Sequence, residues 1–338
     1  MTADRILGIE TSCDETAAAV VSRGTDVMSS VVSSQIELHA RYGGVVPEVA
    51  SRAHVELLMP VVAQAVVEAG VEDREIEAVG ATYGPGLVGA LLVGVSAAKA
   101  MSMVWGVPFV AVNHLEAHLY ASFLEEPDLE MPLVILLVSG GHTMLVLMED
   151  HLRYRVLGST VDDAAGEAFD KVARHLDLGY PGGPVIDRLS VDGDPTAIHF
   201  PRAMAKDGWD FSFSGVKTAV VNHVRKNPET PIPDLAASFQ EAVVDVLIDK
   251  ARRAAREVGA KGLCLGGGVA ANSRLREKLL DVCVEDGFRA FLPSRSMCTD
   301  NAAMVAAAAW WRLRADGPSP LSVGAEPSLR LPVLSTTV

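Results

Sequence analysis

Short runs of apolar residues alternate along this chain with polar turns, and the arrangement occurs twice. Residues 6–9 (Ile6-Leu7-Gly8-Ile9) enter the polar turn Glu10-Thr11-Ser12-Cys13-Asp14-Glu15-Thr16 and leave through 17–21, the pattern of a strand, a tight loop and a second strand. Residues 133–138, then Ser139-Gly140-Gly141-His142-Thr143, then 144–148 repeat it. Later in each half a strand precedes a glycine loop and a helix. The first is 78–81 with Tyr83-Gly84-Pro85-Gly86-Leu87-Val88-Gly89, the second 262–265 with Gly266-Gly267-Gly268-Val269-Ala270-Ala271-Asn272. Two halves of like order predict two similar α/β lobes.

Apolar residues recur every three to four positions over 55–69, 234–258 and 301–314, which predicts amphipathic helices there. The acidic, proline-bearing stretch 125–131 marks the lobe boundary, giving lobes of 1–128 and 129–338. Corresponding elements are further apart in the second half, so extra sequence is placed at about 157–232. The helix at about 300–314 is a candidate to pack back on the first lobe.

At 338 residues, with 49% hydrophobic and 21% charged content, the chain can build a large core. The N-terminal residues hold no apolar signal region, and no run of about 18 apolar residues is expected, so the sequence predicts neither leader nor membrane span and a cytoplasmic location. Cys13, Cys264, Cys283 and Cys298 lack CxxC spacing and read as buried or site-adjacent thiols. A formal net charge of -14 disfavours nonspecific attraction to nucleic acid. Two local basic sets remain, Lys250, Arg252, Arg253 and Arg256, then Arg274, Arg276 and Lys278; solvated helix faces are the competing reading.

In Val112-Asn113-His114-Leu115-Glu116-Ala117-His118, helical spacing aims both imidazoles from one face, where they can grip a transition metal or merely pack. The strand-like run 107–112 ends at Asn113, a helix cap. Glu116 stands two places after the first histidine, roughly 200° round the helix, so the general base of a zinc protease helix is out of register. Asp300 either caps the helix that follows it or adds a carboxylate to the histidine pair. A two-histidine, one-carboxylate set suits Fe(II) or Zn(II) with open positions.

Four glycine loops, read as following strands and preceding helices, offer backbone N–H groups to phosphate oxygens; tight turns are the alternative. No GxxxxGK[ST] or GxGxxG stands in a suitable position. Asp14, Asp170 and Asp187 are further acidic candidates, and His142 either touches a ligand or packs.

Five segments then carry a resemblance: residues 8–16, Tyr42-Gly43-Gly44-Val45-Val46-Pro47-Glu48, His114-Leu115-Glu116-Ala117-His118, Ser139-Gly140-Gly141-His142-Thr143 and Cys298-Thr299-Asp300-Asn301. Together, in this order and over about 5–330, they resemble the TsaD family in its bacterial form. The resemblance implies a duplicated actin-like (ASKHA, RNase H-like) α/β fold, with central mixed sheets flanked by helices and an insertion in the second lobe. It implies transfer of threonylcarbamoyl from L-threonylcarbamoyladenylate to N6 of adenosine 37 in tRNAs reading codons that begin with A, forming t6A and releasing AMP. A small-molecule kinase of the same fold is the alternative.

The metal ligands carried over are His114, His118 and Asp300, for one divalent ion, Fe(2+) first and Zn(2+) second. The adenylate contacts carried over are Leu137, Val138, Ser139, Gly140, Gly141, Asp170, Gly183, Asp187 and Asn272. Implied partners are tRNA, the shortened paralogue TsaB in a heterodimer, and the ATPase TsaE, with no membrane. No general base is assigned. Loops 139–141 and 266–268 with Asn272 are expected around one nucleotide, and Asn272→Ala is expected to weaken adenylate binding while barely changing ligand-free stability. Charge reversal at Arg252 and Arg253 is expected to weaken tRNA binding if they touch phosphate.

Overall fold

In a computed structural model that describes residues 3–332, the chain divides into two units, one running to Leu129 and joined by Thr299–Pro332, the other Glu130–Cys298. The lobes expected from sequence, 1–128 and 129–338, differ from this division because 299–332 lies with the first unit. Residues 1–2 and 333–338 of those lobes lie outside the described residues.

The first unit runs β1 (Arg5–Glu10), β2 (Glu15–Ser22), β3 (Asp26–Ser34), α1 (Ile36–Ala40), α2 (Pro47–Ala69), β4 (Ala78–Gly84), α3 (Val88–Trp105), β5 (Phe109–Asn113) and α4 (His114–Tyr120). The second runs β6 (Leu133–Val138), β7 (Thr143–Asp150), β8 (Arg153–Ser159), α5 (Ala165–His175), α6 (Gly182–Ser190), α7 (Ser214–Lys226), α8 (Ile232–Val258), β9 (Gly262–Gly266), α9 (Ser273–Asp286), β10 (Arg289–Phe291) and α10 (Arg295–Cys298). Helix α11 (Ala302–Asp316) belongs to the first.

Among the described residues there are two five-stranded sheets, ordered β3-β2-β1-β4-β5 and β8-β7-β6-β9-β10. In each, the central strand pairs antiparallel with its hairpin partner and parallel with the strand that follows the long helix: Gly8 faces Ala19 and Gly80, and Leu136 faces Leu145 and Leu265. This is the duplicated α/β architecture that the pattern predicts, with the mixed sheets flanked by helices that the resemblance implies. Helices α5, α6 and α7 lie between β8 and α8, and the predicted extra stretch 157–232 begins inside β8, whose last residues still pair with β7.

In the first unit Leu7, Ile9, Val20, Val79 and Ala81 form a core with Leu58, Val62 and Ala65 of α2 and Val95, Ala98 and Met101 of α3. On the opposite face small residues let α11 approach closely. A Cβ on Gly8 would stand 2.2 Å from the Ala302 carbonyl oxygen, and one on Gly80 would stand 2.6 Å from the Ala309 Cβ. The alanine run of α11 is therefore read by glycines on β1 and β4, and a larger side chain at either would drive the helix off the sheet. In the second unit Val134, Leu136, Leu145, Leu147 and Leu265 pack with Phe169 of α5 and Phe239 of α8, whose rings meet edge-on at 5.1 Å.

Two sequence expectations change. Helix α2 begins at Pro47 and not at 55, because Val46 is extended and proline at the first helical position gives up no needed N–H. And an apolar stretch of membrane-spanning length does exist: α3 has 18 residues with mean hydropathy 1.6. One face buries Ala90, Leu91, Gly94, Val95, Ala98 and Met101 against the sheet, while Val88, Leu92, Met103 and Val104 are exposed and Lys99 donates to the Val323 carbonyl. The segment after α11 follows β5, with Ser319 N–H donating to the Phe109 carbonyl at 2.8 Å and the Ser319 hydroxyl accepting from Ala111 N at 2.9 Å. A strand edge that would otherwise offer unpaired backbone groups is covered.

Candidate metal centre

Strand β5 ends at Asn113, whose side-chain oxygen accepts from the N–H groups of Leu115 (2.9 Å) and Glu116 (3.1 Å) and so starts α4 at His114. Every residue of this seven-residue helix is buried, and the two imidazoles meet edge-on with centroids 4.7 Å apart. Asp300 arrives from the start of α11. Its Oδ1 lies 3.1 Å from His118 Nε2 and 3.6 Å from His114 Nε2, and the three potential ligand atoms all fall within 4.8 Å of one another.

The helix-cap reading of Asp300 gives way, because Asn301 fills that role by accepting from Met304 N at 3.0 Å. The protease reading stays excluded: Glu116 is turned into an ion pair with Arg312 at 2.8 Å.

The geometry accommodates a divalent ion. Metal–ligand bonds of about 2.1 Å place neighbouring ligand atoms about 3.0 Å apart at a right angle and about 3.4 Å apart at the tetrahedral angle, close to the separations to Asp300. Electrostatics point the same way. The Glu15 carboxyl is pushed up to about 9 by burial and by the Asp300 and Asp14 carboxylates, crowding that a cation relieves. Burial opposes the His114 imidazolium, but the Asp300 and Glu10 carboxylates outweigh it and hold the group up at about 9. The Cys13 thiol is pushed well up by burial and by Asp14, which keeps it from serving as a thiolate nucleophile.

Sequence reasoning missed Glu10, Ser12 and Thr82. Glu10 is fully buried at the end of β1; its carboxylate accepts from Thr82 Oγ1 at 2.6 Å and Ser12 N at 2.5 Å, and lies 3.1 Å from His114 Nδ1. Ser12 Oγ is 3.2 Å from the same nitrogen. Attraction to His114 overcomes the burial of Glu10 and holds its carboxyl below the usual range. A charged residue directly after the apolar run 6–9 was the available signal, since fully buried glutamates are rare without partners. The loop after β1 is anchored further out: His54 Nε2 donates to the Cys13 carbonyl at 3.0 Å, while His54 Nδ1 accepts from Thr16 Oγ1 at 2.8 Å and lies 3.3 Å from Gln35 Nε2. Gln35 Oε1 in turn accepts from His39 Nε2, and His39 Nδ1 accepts from Val46 N. The Tyr42–Glu48 motif is thereby tied to this loop.

In the second unit several of the remaining predicted residues make hydrogen bonds between neighbouring elements. Leu137 and Val138 end β6, and Ser139, Gly140 and Gly141 turn into β7, with Ser139 N donating to the His142 carbonyl at 2.8 Å and Ser139 Oγ accepting from His142 N at 3.1 Å. This loop joins two strands, as the repeated strand, tight loop and strand pattern predicts, and Gly179-Tyr180-Pro181-Gly182-Gly183 joins two helices, so not all the glycine loops run from strand to helix. The Ser139 carbonyl accepts from Gly166 N at the start of α5. Asp170 of α5 accepts from Gly182 N at 2.7 Å, and Asp187 of α6 accepts from Ser273 Oγ at 2.7 Å. Gly267 has φ +83 and abuts the Val138 carbonyl, so a Cβ there would stand 2.5 Å from that oxygen. Gly140, Gly141 and Gly183 have open space where a Cβ would stand.

Asn272 departs from its expected independence of stability. Its Oδ1 caps α9 by accepting from Leu275 N at 2.9 Å, and its Nδ2 donates to Gln240 Oε1 at 2.6 Å. The basic sets also prove internally engaged. Arg252 and Arg256 both pair with Asp286, Arg253 bonds the Ala205 and Gly208 carbonyls, Arg274 and Lys278 hold Glu241, and Arg276 bonds the Ala270 and Pro293 carbonyls. Charge reversal at Arg252 therefore breaks a fold contact before it tests nucleic acid.

The family model described as TsaD: tRNA N6-adenosine threonylcarbamoyltransferase matches residues 26–307. Relatives bearing that name include proteins of Caldicellulosiruptor saccharolyticus, 52% identical over 96% of this chain and 98% of its own length, and Moorella thermoacetica, 52% identical over 98% of each. Among solved structures, HypF of T. kodakarensis has a TM-score of 0.64 at 15% identity, covering 92% of this chain and 48% of its own. A component of the Acidaminococcus fermentans (R)-2-hydroxyglutaryl-CoA dehydratase has 0.56 at 14%, covering 92% and 99%. At such identities the structures share the fold.

Proposed function

The chain belongs to the TsaD family of tRNA N6-adenosine threonylcarbamoyltransferases, and on that premise we propose that it transfers threonylcarbamoyl from L-threonylcarbamoyladenylate to N6 of adenosine 37 in tRNAs reading codons that begin with A. A new bond joins N6 to the carbamoyl carbon, the bond from that carbon to the phosphate oxygen breaks, N6 loses a proton, and AMP leaves. The observation that carries the reading is the convergence of His114, His118 and Asp300 in a chain of this family. With the family assigned, no observation favours the kinase alternative.

His114, His118 and Asp300 would hold one divalent ion, with Fe(2+) proposed ahead of Zn(2+). When bound, that ion supplies Lewis acidity toward substrate oxygens. The chain's own groups do the positioning. The open backbone at Gly140, Gly141 and Gly183 leaves room for close approach of a ligand, and N–H groups there stabilise negative charge without reorganising. Leu137, Val138 and Ser139 supply the strand end and turn that present this backbone, while Asp170, Asp187 and Asn272 keep the loops in place. No side chain is assigned as general base.

TsaB and TsaE would be the chain's partners and the cytoplasm its compartment, with 157–232 an insertion in the second lobe. The test is to mix the purified chain with threonylcarbamoyladenylate and unmodified tRNA, with and without the two partners, and digest the tRNA for nucleoside analysis. The modified adenosine is expected only when adenylate and chain are both present. Failure to form it with every partner supplied and metal bound would overturn the assignment.

A further inference from the structure

The two imidazoles of the metal centre are held differently. Among the described residues, the buried Nδ1 of His118 has no hydrogen-bond partner. The Nδ1 of His114 faces the Glu10 carboxylate at 3.1 Å, and that carboxylate is completely buried. We infer that Glu10 is the positioning residue of the metal centre: it accepts the Nδ1 proton of His114 in a hydrogen bond, fixing the tautomer whose Nε2 lone pair points at the ion.

The argument is one of donors and acceptors. A metal-binding Nε2 must be unprotonated, so in the neutral ring the proton sits on Nδ1 and needs an acceptor. Two groups stand near that nitrogen. Ser12 Oγ, at 3.2 Å, is able to donate as well as accept, and a donating hydroxyl would select the wrong tautomer. A carboxylate accepts only.

Thr82 Oγ1 and Ser12 N both donate to Glu10, so its oxygens are anchored from β4 and from the loop after β1, and their direction toward His114 is set by the backbone of the sheet. A carboxylate behind a metal-bound histidine also raises its basicity, and removing such a partner costs roughly 10- to 100-fold in metal affinity.

The inference rests on the proposed metal triad, and the experiment separates the two. Zinc and ferrous affinities of the full chain are measured by competition with a chromophoric chelator, alongside thermal unfolding of the metal-free protein. Glu10→Gln keeps the shape and removes the charge. It is expected to weaken binding by about 10-fold or more, and to add no further loss when His114→Ala is already present. In the zinc-loaded parent, long-range ¹⁵N–¹H correlations are expected to place the His114 proton on Nδ1.

If Glu10→Gln does not fold, Thr82→Val answers the same question by removing one anchor of the carboxylate, with a smaller loss in the same direction expected. A parent that binds neither metal overturns the triad and the inference together. Unchanged affinity in the folded variants, an equal loss in the His114→Ala background, or a proton on His114 Nε2 overturns the inference alone.

Discussion

Asp300 and Asn301 stand side by side at the start of α11 and divide two tasks: Asn301 closes the helix, and Asp300 turns its carboxylate to the histidines. Asp300→Ala is therefore expected to leave the cap intact while lowering metal affinity at least 10-fold, read by chelator competition, because one of three protein ligands is lost. Asn272 makes the contrasting case. Its side chain caps α9 and bonds Gln240, so Asn272→Ala is expected to destabilise the ligand-free protein by about 1 kcal/mol, within the usual 0.5–2 for a lost cap, in urea unfolding. The histidine pair, the Asn113 cap and the poor register of Glu116 were legible from helical spacing alone. The role of Glu10 was not, because its partners Thr82 and His114 lie 72 and 104 residues away and spacing carries no information over such intervals.

Elements were most legible where one face is buried and the other wet. Helix α8 stands close to its expected position because 3.6-residue recurrence follows directly from burial; β6 was legible for a different reason, as a continuous apolar run buried on both faces. Helix α2 was read too short, since its first two turns carry Glu48, Ser51 and Arg52 and bury only Ala50 and His54. The charges on α8 and α9 read as a surface and turned out to be a clamp, with Glu241 accepting from Arg274 at 2.8 Å and also paired with Lys278. Burial alone would raise the Glu241 carboxyl, but the hydrogen bonds and charges of Arg274 and Lys278 prevail and bring it down to about 2. A carboxyl whose folded pKa is depressed stabilises the fold above its unfolded value of about 4.3 and loses that contribution as pH falls toward the folded value. Stability of the ligand-free protein is expected to drop between about pH 4.5 and pH 2, and Glu241→Gln, less stable at pH 7, is expected to show a shallower drop in that window.

At the scale of the molecule, charge and connectivity set the function's requirements. A formal net charge of -14, with Arg252, Arg256, Arg274 and Lys278 of the two basic sets committed to carboxylates, weighs against strong attraction of a polyanion to those faces. The isolated chain is expected to bind tRNA weakly at physiological salt and to gain affinity when a partner adds basic surface, in filter binding across a salt series. Tight, salt-insensitive binding by the chain alone would mean that stacking or shape, and not shared electrostatics, carries recognition. Periodicity and the order of turns were enough to predict the duplication into two α/β lobes and the helix that aims two histidines together, since each follows from which neighbours along the chain are buried, whereas the mixed sheets were implied by the family resemblance. Packing decided what the sequence left as alternatives: α11 returns to the first unit's sheet, Asp300 reaches His118 182 residues upstream, and the basic residues pair internally. Their physical reason is close approach: glycines at 8 and 80 and an alanine-rich helix fit against each other, and that complementarity between distant segments has no period along the sequence.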